Sequence, residues 1–154
     1  MASHMPVNHS LRPLYRALAL FAGLFVLAFG VLGFLDSQGE PLFHQGESSA
    51  LGLKTNPAFS YASIAAGVAV LLATLVGRNV DRFVDMWVGV GFMLAGTAML
   101  ALMHTDSNVL NFTMATCIVS YLIGSVLFTA GMYVKVGPAA KAAAEEKHRA
   151  GVPA

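Results

Sequence analysis

Ala17–Leu35 reads ALALFAGLFVLAFGVLGFL, nineteen residues without a charge or a proline, with Arg12 and Arg16 before it and Asp36 after it. As a helix rising 1.5 Å per residue it covers about 28 Å, close to the roughly 30 Å of hydrocarbon in a bilayer. A secretory signal peptide is the rival reading. Its apolar region is shorter, about 7–15 residues, and a small-residue cleavage site follows it. No A-x-A-like site follows Leu35, so the run reads as a membrane span.

Working outward, the first span extends from about Leu14 to Leu35. Three more apolar runs of similar length follow, at about Pro57–Gly77, Phe83–Met103 and Leu110–Val134. None has a charge near its centre, where one would cost about 2.5–3.5 kcal/mol on insertion. Backbone groups in hydrocarbon find no water to bond, so runs of this kind are helices. Composition agrees: 56% of the 154 residues are hydrophobic and 11% charged, with a mean hydropathy of +0.68. Soluble domains carry about 25% charge. The expected fold is an all-α integral membrane protein, a four-transmembrane-helix bundle forming one membrane domain over 14–135. A tail at 6–13 precedes it and a tail at 136–154 follows. Residues 1–5, MASHM, read as the translated join of an expression vector and are set aside.

Basic residues give a direction. Arg12, Arg16, Arg78, Arg82, Lys135, Lys141, Lys147 and Arg149 fall on one side of the four spans, and Lys54 alone on the other. The positive-inside rule places both termini of this multi-pass membrane protein in the cytoplasm. The outer loops, 36–56 and 104–109, then carry Asp36, Glu40, Glu47 and Asp106.

The small residues repeat. Gly23 and Gly30 in the first span match Gly89 and Gly96 in the third. Ser60, Ser63, Gly67, Val70, Thr74 and Gly77 in the second match Cys117, Ser120, Gly124, Leu127 and Gly131 in the fourth. The chain reads as two helical hairpins in parallel repeat. Span association depends on close packing, which small residues allow. The expected packing seam is therefore Gly23, Gly30, Gly67, Gly89, Gly96, Ser120, Gly124 and Gly131. Packing within the chain and homo-oligomerisation compete for this stripe, while Phe21, Phe25, Phe29, Leu71, Leu75 and Phe128 face lipid or fill gaps.

Candidate chemistry is sparse. Asp85 is the one acid placed about a turn inside a span, either as an ion-coupling carboxylate or as a helix-start acid paired locally with Arg82 and Arg78. His44, Glu40 and Glu47 of one outer loop, with His104 and Asp106 of the other, are metal-ligand types. They lack H-x-x-x-H or H-E-x-x-H spacing, and solvated loop residues are the better reading. Cys117 is the single cysteine, which excludes an internal disulfide, a lone dithiol enzyme and a quinone-linked thiol oxidase. No histidine lies within a span, which excludes bis-histidine haem ligation inside the bundle. No nucleotide, hydrolase or nucleic-acid signature is present.

Three stretches carry a resemblance: Gly30-Val-Leu-Gly-Phe34, Leu51-Gly-Leu-Lys-Thr-Asn-Pro57 and Leu110-Asn-Phe-Thr-Met-Ala-Thr116. Together the chain, over roughly Arg12 to Val136, resembles the four-helix membrane family catalogued as domain of unknown function 4383, common in actinobacteria. The resemblance implies a fold and a membrane location, and no activity. The expected function is a structural or accessory one, not enzymatic and without cofactor, through helix association with lipid, with itself or with another membrane protein. A small oligomeric transporter or channel using Asp85 and the hydroxyls of the fourth span is the alternative. A metal-binding sensor on the outer loops is a third.

Overall fold

The computed structural model describes residues 7–149; the vector-derived reading of 1–5 lies outside the described residues, as does the end of the C-terminal tail. Four long helices dominate: α1 (Arg12–Asp36), α2 (Pro57–Val76), α3 (Val80–Leu102) and α4 (Met114–Tyr133). A two-stranded hairpin, β1 (Ser49–Ala50) and β2 (Leu53–Lys54), lies between α1 and α2, and α5 (Ala139–Arg149) follows α4. Each of the four long helices has the length and apolarity to cross a membrane. At 20 residues, α2 and α4 are about 30 Å long, the thickness of the hydrocarbon they would span. The molecule is a four-helix membrane bundle, up-down-up-down, with each long helix beside the next in the chain and α4 returning to α1. One end of the bundle carries both termini and the α2–α3 turn; the other carries the two longer loops.

Local chemistry explains the boundaries. Pro13 and Pro57 sit in the first turns of α1 and α2, where a missing N–H costs nothing. The side chain of Asn56 accepts a hydrogen bond from the Phe59 N–H at 2.9 Å and so caps α2. Gly77 ends α2 with φ +63°, and Arg78 and Asn79 continue the turn at φ +53° and +69°. The third helix thus begins at Val80, ahead of the expected Phe83, and takes Asp81 and Arg82 into its first turn.

The fourth helix begins later than its apolarity suggests. Leu110 and Phe112 are apolar but not helical: Asn111 between them is left-handed at φ +54°, Phe112 is buried, and Thr113 caps the helix by accepting from the Thr116 N–H. Hydrophobicity marks burial here, and the cap marks the helix.

The two hairpins, α1–α2 and α3–α4, are the tightest pairs, and glycine is the reason. A methyl on Gly30 would lie 2.7 Å from the Ile64 nitrogen, and one on Gly67 2.7 Å from the Leu27 nitrogen. In the other pair, a methyl on Gly89 would lie 2.7 Å from the Gly124 oxygen, and one on Gly131 2.9 Å from the Arg82 oxygen. Gly23 meets the Val70 side chain at 2.9 Å; Gly96 is looser, 3.5 Å from the Cys117 oxygen. Gly33, outside the expected seam, is as close as any, 2.6 Å from Ser60 Oγ. These backbones approach until nothing larger than hydrogen fits between them.

Phe29 is buried against Phe59, which in turn packs on Phe112, with ring centroids 5.0 and 4.5 Å apart. These rings form the core nearer the loops, with Ala50 of the hairpin, Met99 and Cys117. Ala19, Val70, Leu127 and Ala130 form a second core. Phe21 and Leu75 face outward, as expected of bulky residues on a lipid surface.

Candidate functional site

Each end of an up-down bundle exposes two helix N-termini and two C-termini, leaving orphan N–H and C=O groups. At the terminus end the donors are arginines. Arg12 and Arg16 lie one turn apart on α1. The Arg12 Nε donates to the Val134 carbonyl at 3.0 Å, at the end of α4, and the Arg16 guanidinium donates to the Thr74 carbonyl near the end of α2. Cations at helix C-termini also favour the macrodipole. Both arginines then turn to one carboxylate: Asp81 Oδ2 is 3.7 Å from Arg12 Nη2 and 3.6 Å from Arg16 Nε. The other oxygen of Asp81 accepts the Arg82 N–H at 3.0 Å, in the first turn of α3.

Asp85 lies one turn deeper on the same face of α3. It is 0% exposed, and neither carboxyl oxygen accepts a hydrogen bond. This differs from the expected local pairing with Arg78 and Arg82: Arg78 sits exposed in the turn, and the cations drawn into the bundle come from α1. The reason is the bundle order, which sets the first turn of α1 against that of α3 across the converging ends of α2 and α4.

Asparagines stitch the surrounding backbone. Asn8 exchanges two hydrogen bonds with Gly137, at 2.8 and 3.2 Å, and Asn79 exchanges two with Val136, at 3.0 and 2.7 Å. The segment after α4 is thereby held between the N-terminal stretch and the α2–α3 turn. Tyr15 and Tyr133 stack beside it, centroids 4.7 Å apart, with His9 edge-on to both.

At the loop end the work is done by neutral amides. Besides capping α2, Asn56 donates to the carbonyls of His44 (3.2 Å) and Val109 (2.9 Å), joining the two loops. Asn111 donates to Gly46 (3.1 Å) and Thr55 (2.8 Å). Asn108 binds the Phe112 N–H and C=O, at 2.8 and 2.9 Å, and the Met103 carbonyl at 3.3 Å. All three are buried. The sequence reading of these loops rests on their charged residues and passes over the three asparagines. The available signal was Asn56 directly before Pro57, the signature of a capped helix start.

Two of the candidate metal ligands, Glu40 and Glu47, are engaged by other partners. Glu40 accepts from Ser48 Oγ at 2.7 Å, and Glu47 pairs with Lys54 at 2.5 Å. The hydrogen bond and the charge of Lys54 hold the Glu47 carboxyl below its ordinary range. The His44 ring lies over Gly46, and Asp106 contributes its backbone carbonyl to Gln45. Among the described residues no three of His, Cys, Asp and Glu are gathered as a metal would require.

Between the two ends, all four long helices line a central void of about 10 Å³, into which Ser63, Thr116 and Ser120 face. Cys117 beside it is free and buried. A space of this size holds about one water molecule.

No curated protein and no solved structure matches the chain. A family model does, over residues 16–133, from the Arg16 of the charge cluster to the Tyr133 stacked on Tyr15. With nearly all of the four spans and the whole loop-end closure inside the matched region, the chain belongs to the family described as Domain of unknown function (DUF4383).

Proposed function

We propose that this protein is a non-enzymatic accessory component of a bacterial cytoplasmic membrane, with both termini in the cytoplasm, acting through its helical surface on lipid and on another membrane protein or a further copy of itself. The observation that carries this reading is the glycine packing within each hairpin. Gly30 meets the backbone of Ile64, Gly67 that of Leu27 and Gly89 that of Gly124 too closely for a methyl to fit, so neither hairpin leaves room for a solute between its two helices. The orientation rests on the basic residues at the terminus end. A duplicated hairpin is supported by the helix caps: Asn56 and Thr113 occupy matching positions in the two stripes and both accept from the N–H three residues on.

The test is twofold. The mass of the detergent-solubilised assembly gives the number of copies, and proteoliposomes loaded with a pH-sensitive dye or a monovalent-cation dye give the flux. Flux equal to that of protein-free vesicles supports the accessory reading; saturable flux overturns it. One observation favours ion coupling as a second reading, namely that Asp85 is fully buried and accepts no hydrogen bond. Intramembrane carboxylates of this kind bind protons or cations on transport pathways. Under that reading flux is present, and Asp85→Asn abolishes it while leaving helicity and assembly mass unchanged.

A further inference from the structure

Hydroxyls on the long helices find partners in two ways. Thr74 and Thr97 donate back to the carbonyl four residues earlier, of Val70 and Met93, each at 2.8 Å, and Ser60 shares a bond of 3.1 Å with Thr55. Ser63 does neither. It is 1% exposed, and its Oγ has no hydrogen-bond partner. A hydroxyl buried in that state keeps the full cost of its lost hydration. Ser63 lines the void at the bundle centre, as do the buried Thr116 and Ser120 of α4. In the up-down order α2 and α4 stand on a diagonal and run parallel, both starting at the loop end. Each has 20 residues, and Ser63 and Ser120 are each the seventh, about 9 Å from the helix start at 1.5 Å per residue. The two hydroxyls therefore lie at one depth on opposite sides of one void. Every other residue lining it is apolar.

We propose that the centre of the bundle binds one water molecule that bridges Ser63 of α2 to Ser120 of α4, with Thr116 as a third partner. The partnerless Ser63 hydroxyl carries the argument, and the space agrees with it. A buried water takes two to four polar partners and needs room for about one water-sized sphere; three hydroxyls and about 10 Å³ are present. Thr116 Oγ1 shares a bond of 3.2 Å with Thr113 Oγ1 and retains capacity for another. Water both donates and accepts, so it satisfies Ser63 in either hydroxyl orientation. An ion would find no opposite charge among the lining residues, and a larger solute exceeds the space. Because α2 belongs to the first hairpin and α4 to the second, the water joins the hairpins across the diagonal, where side chains leave a gap. The bridge concerns how the hairpins are held together, and it stands whichever surface the protein presents to a partner.

The full chain, carrying carbon-13 serine, is reconstituted in phospholipid vesicles, and water-edited solid-state NMR reads the polarisation that passes from water to each assigned serine Cβ. Ser125, exposed on the outer face of α4, is the control. Transfer to Ser63 and Ser120 at least threefold above that to Ser125 is the expected result. Melting temperatures of Ser63→Ala, Ser120→Ala and the double variant in one detergent complete the test. Both serines hold the same water, so the double variant should fall no further than the lower of the two single variants. Transfer to Ser63 and Ser120 no greater than to Ser125 overturns the proposal. Additive falls in melting temperature overturn it too, and would assign the Ser63 hydroxyl to the Phe59 carbonyl of its own helix. Should an alanine variant fail to fold, the transfer in the wild-type protein decides alone.

Discussion

Gly89 and Gly91 lie two residues apart on α3 and should respond to alanine in opposite directions. At Gly89 the new methyl would sit 2.7 Å from both the Gly124 oxygen and the Phe128 nitrogen, and 3.1 Å from the Phe128 Cα. Carbon contacts settle at about 3.5–4.0 Å, so α3 and α4 must part by most of an ångström. The obstructing atoms are backbone, and no rotamer change relieves them. Overpacking of this kind costs about 1–3 kcal/mol, offset by up to about 1 kcal/mol of helix propensity gained over glycine. At Gly91 nothing lies within 4 Å, and only the propensity gain remains. The propensity gain is common to both, so the two variants should differ by the overpacking cost alone, roughly 1–3 kcal/mol, or about 2–12 °C in melting temperature for a chain of this size. Thermal unfolding of both in one detergent, followed by helical circular dichroism, measures the gap. If the two melting temperatures move together, or if Gly89→Ala is the more stable, the α3–α4 seam is not set by backbone contact and the packing account fails.

Two further outcomes are expected. Asn56→Ala removes the α2 cap and the donors to the His44 and Val109 carbonyls, a loss of about 2–4 kcal/mol from a cap worth about 1 kcal/mol and two buried acceptors of similar worth. Asn56→Asp keeps the cap but loses the donors, so its melting temperature should lie between those of wild type and Asn56→Ala; a value equal to wild type would mean the loop bonds contribute nothing. The second concerns Glu47, whose carboxyl Lys54 holds below the ordinary value of 4.5. Folding favours the ionised form, so the pair's contribution is fully present above that value and fades as pH falls through the lower folded value. The difference in melting temperature between wild type and Lys54→Met should be small at neutral pH, vanish in acid, and shrink with added salt because the pair is exposed. A difference independent of pH would sink this assignment.

The four spans were legible because hydrocarbon imposes a length and forbids charge, and both constraints are local in sequence. The seam was legible because close helix approach leaves a spacing of small residues. Gly33 escaped because its partners, Ser60 and Thr55, cross to the end of the next helix, outside the seven-residue register of Gly23 and Gly30. Burial of Phe112 was visible as apolarity, but apolarity does not distinguish a buried turn from a helix; the cap at Thr113 does. Asp85 stood out as an acid inside a span, whereas its electrostatic surroundings could not be read locally. Arg82 is three residues away in the chain, but the cations that reach the neighbouring Asp81 are Arg12 and Arg16, more than sixty residues away.

The two ends of the bundle solve one problem with different chemistry, and geometry explains why. At the terminus end, α2 and α4 finish with unpaired carbonyls and a negative macrodipole end, so the best donor is a long cation. Arg12 and Arg16 reach from the first turns of α1 to both ends, Val134 and Thr74. Two guanidinium groups drawn into a helix interface require a counter-charge, and the start of α3 supplies Asp81, an acid placed where the dipole favours it. At the loop end the same helices begin, and their first N–H groups need acceptors while α3 finishes nearby and needs donors. An amide offers both, so Asn56 accepts from Phe59 and donates across the loops, and Asn108 accepts from Phe112 and donates to Met103. A neutral closure at one end and a cationic one at the other give the bundle its charge asymmetry. The arginines that would hold a terminus against membrane insertion are thus the ones that lock the finished helices together. Asp85 is the one member of this arrangement that the capping argument does not require. It caps nothing and accepts no hydrogen bond from the protein, and this separates it from Asp81, whose place the helix ends alone account for.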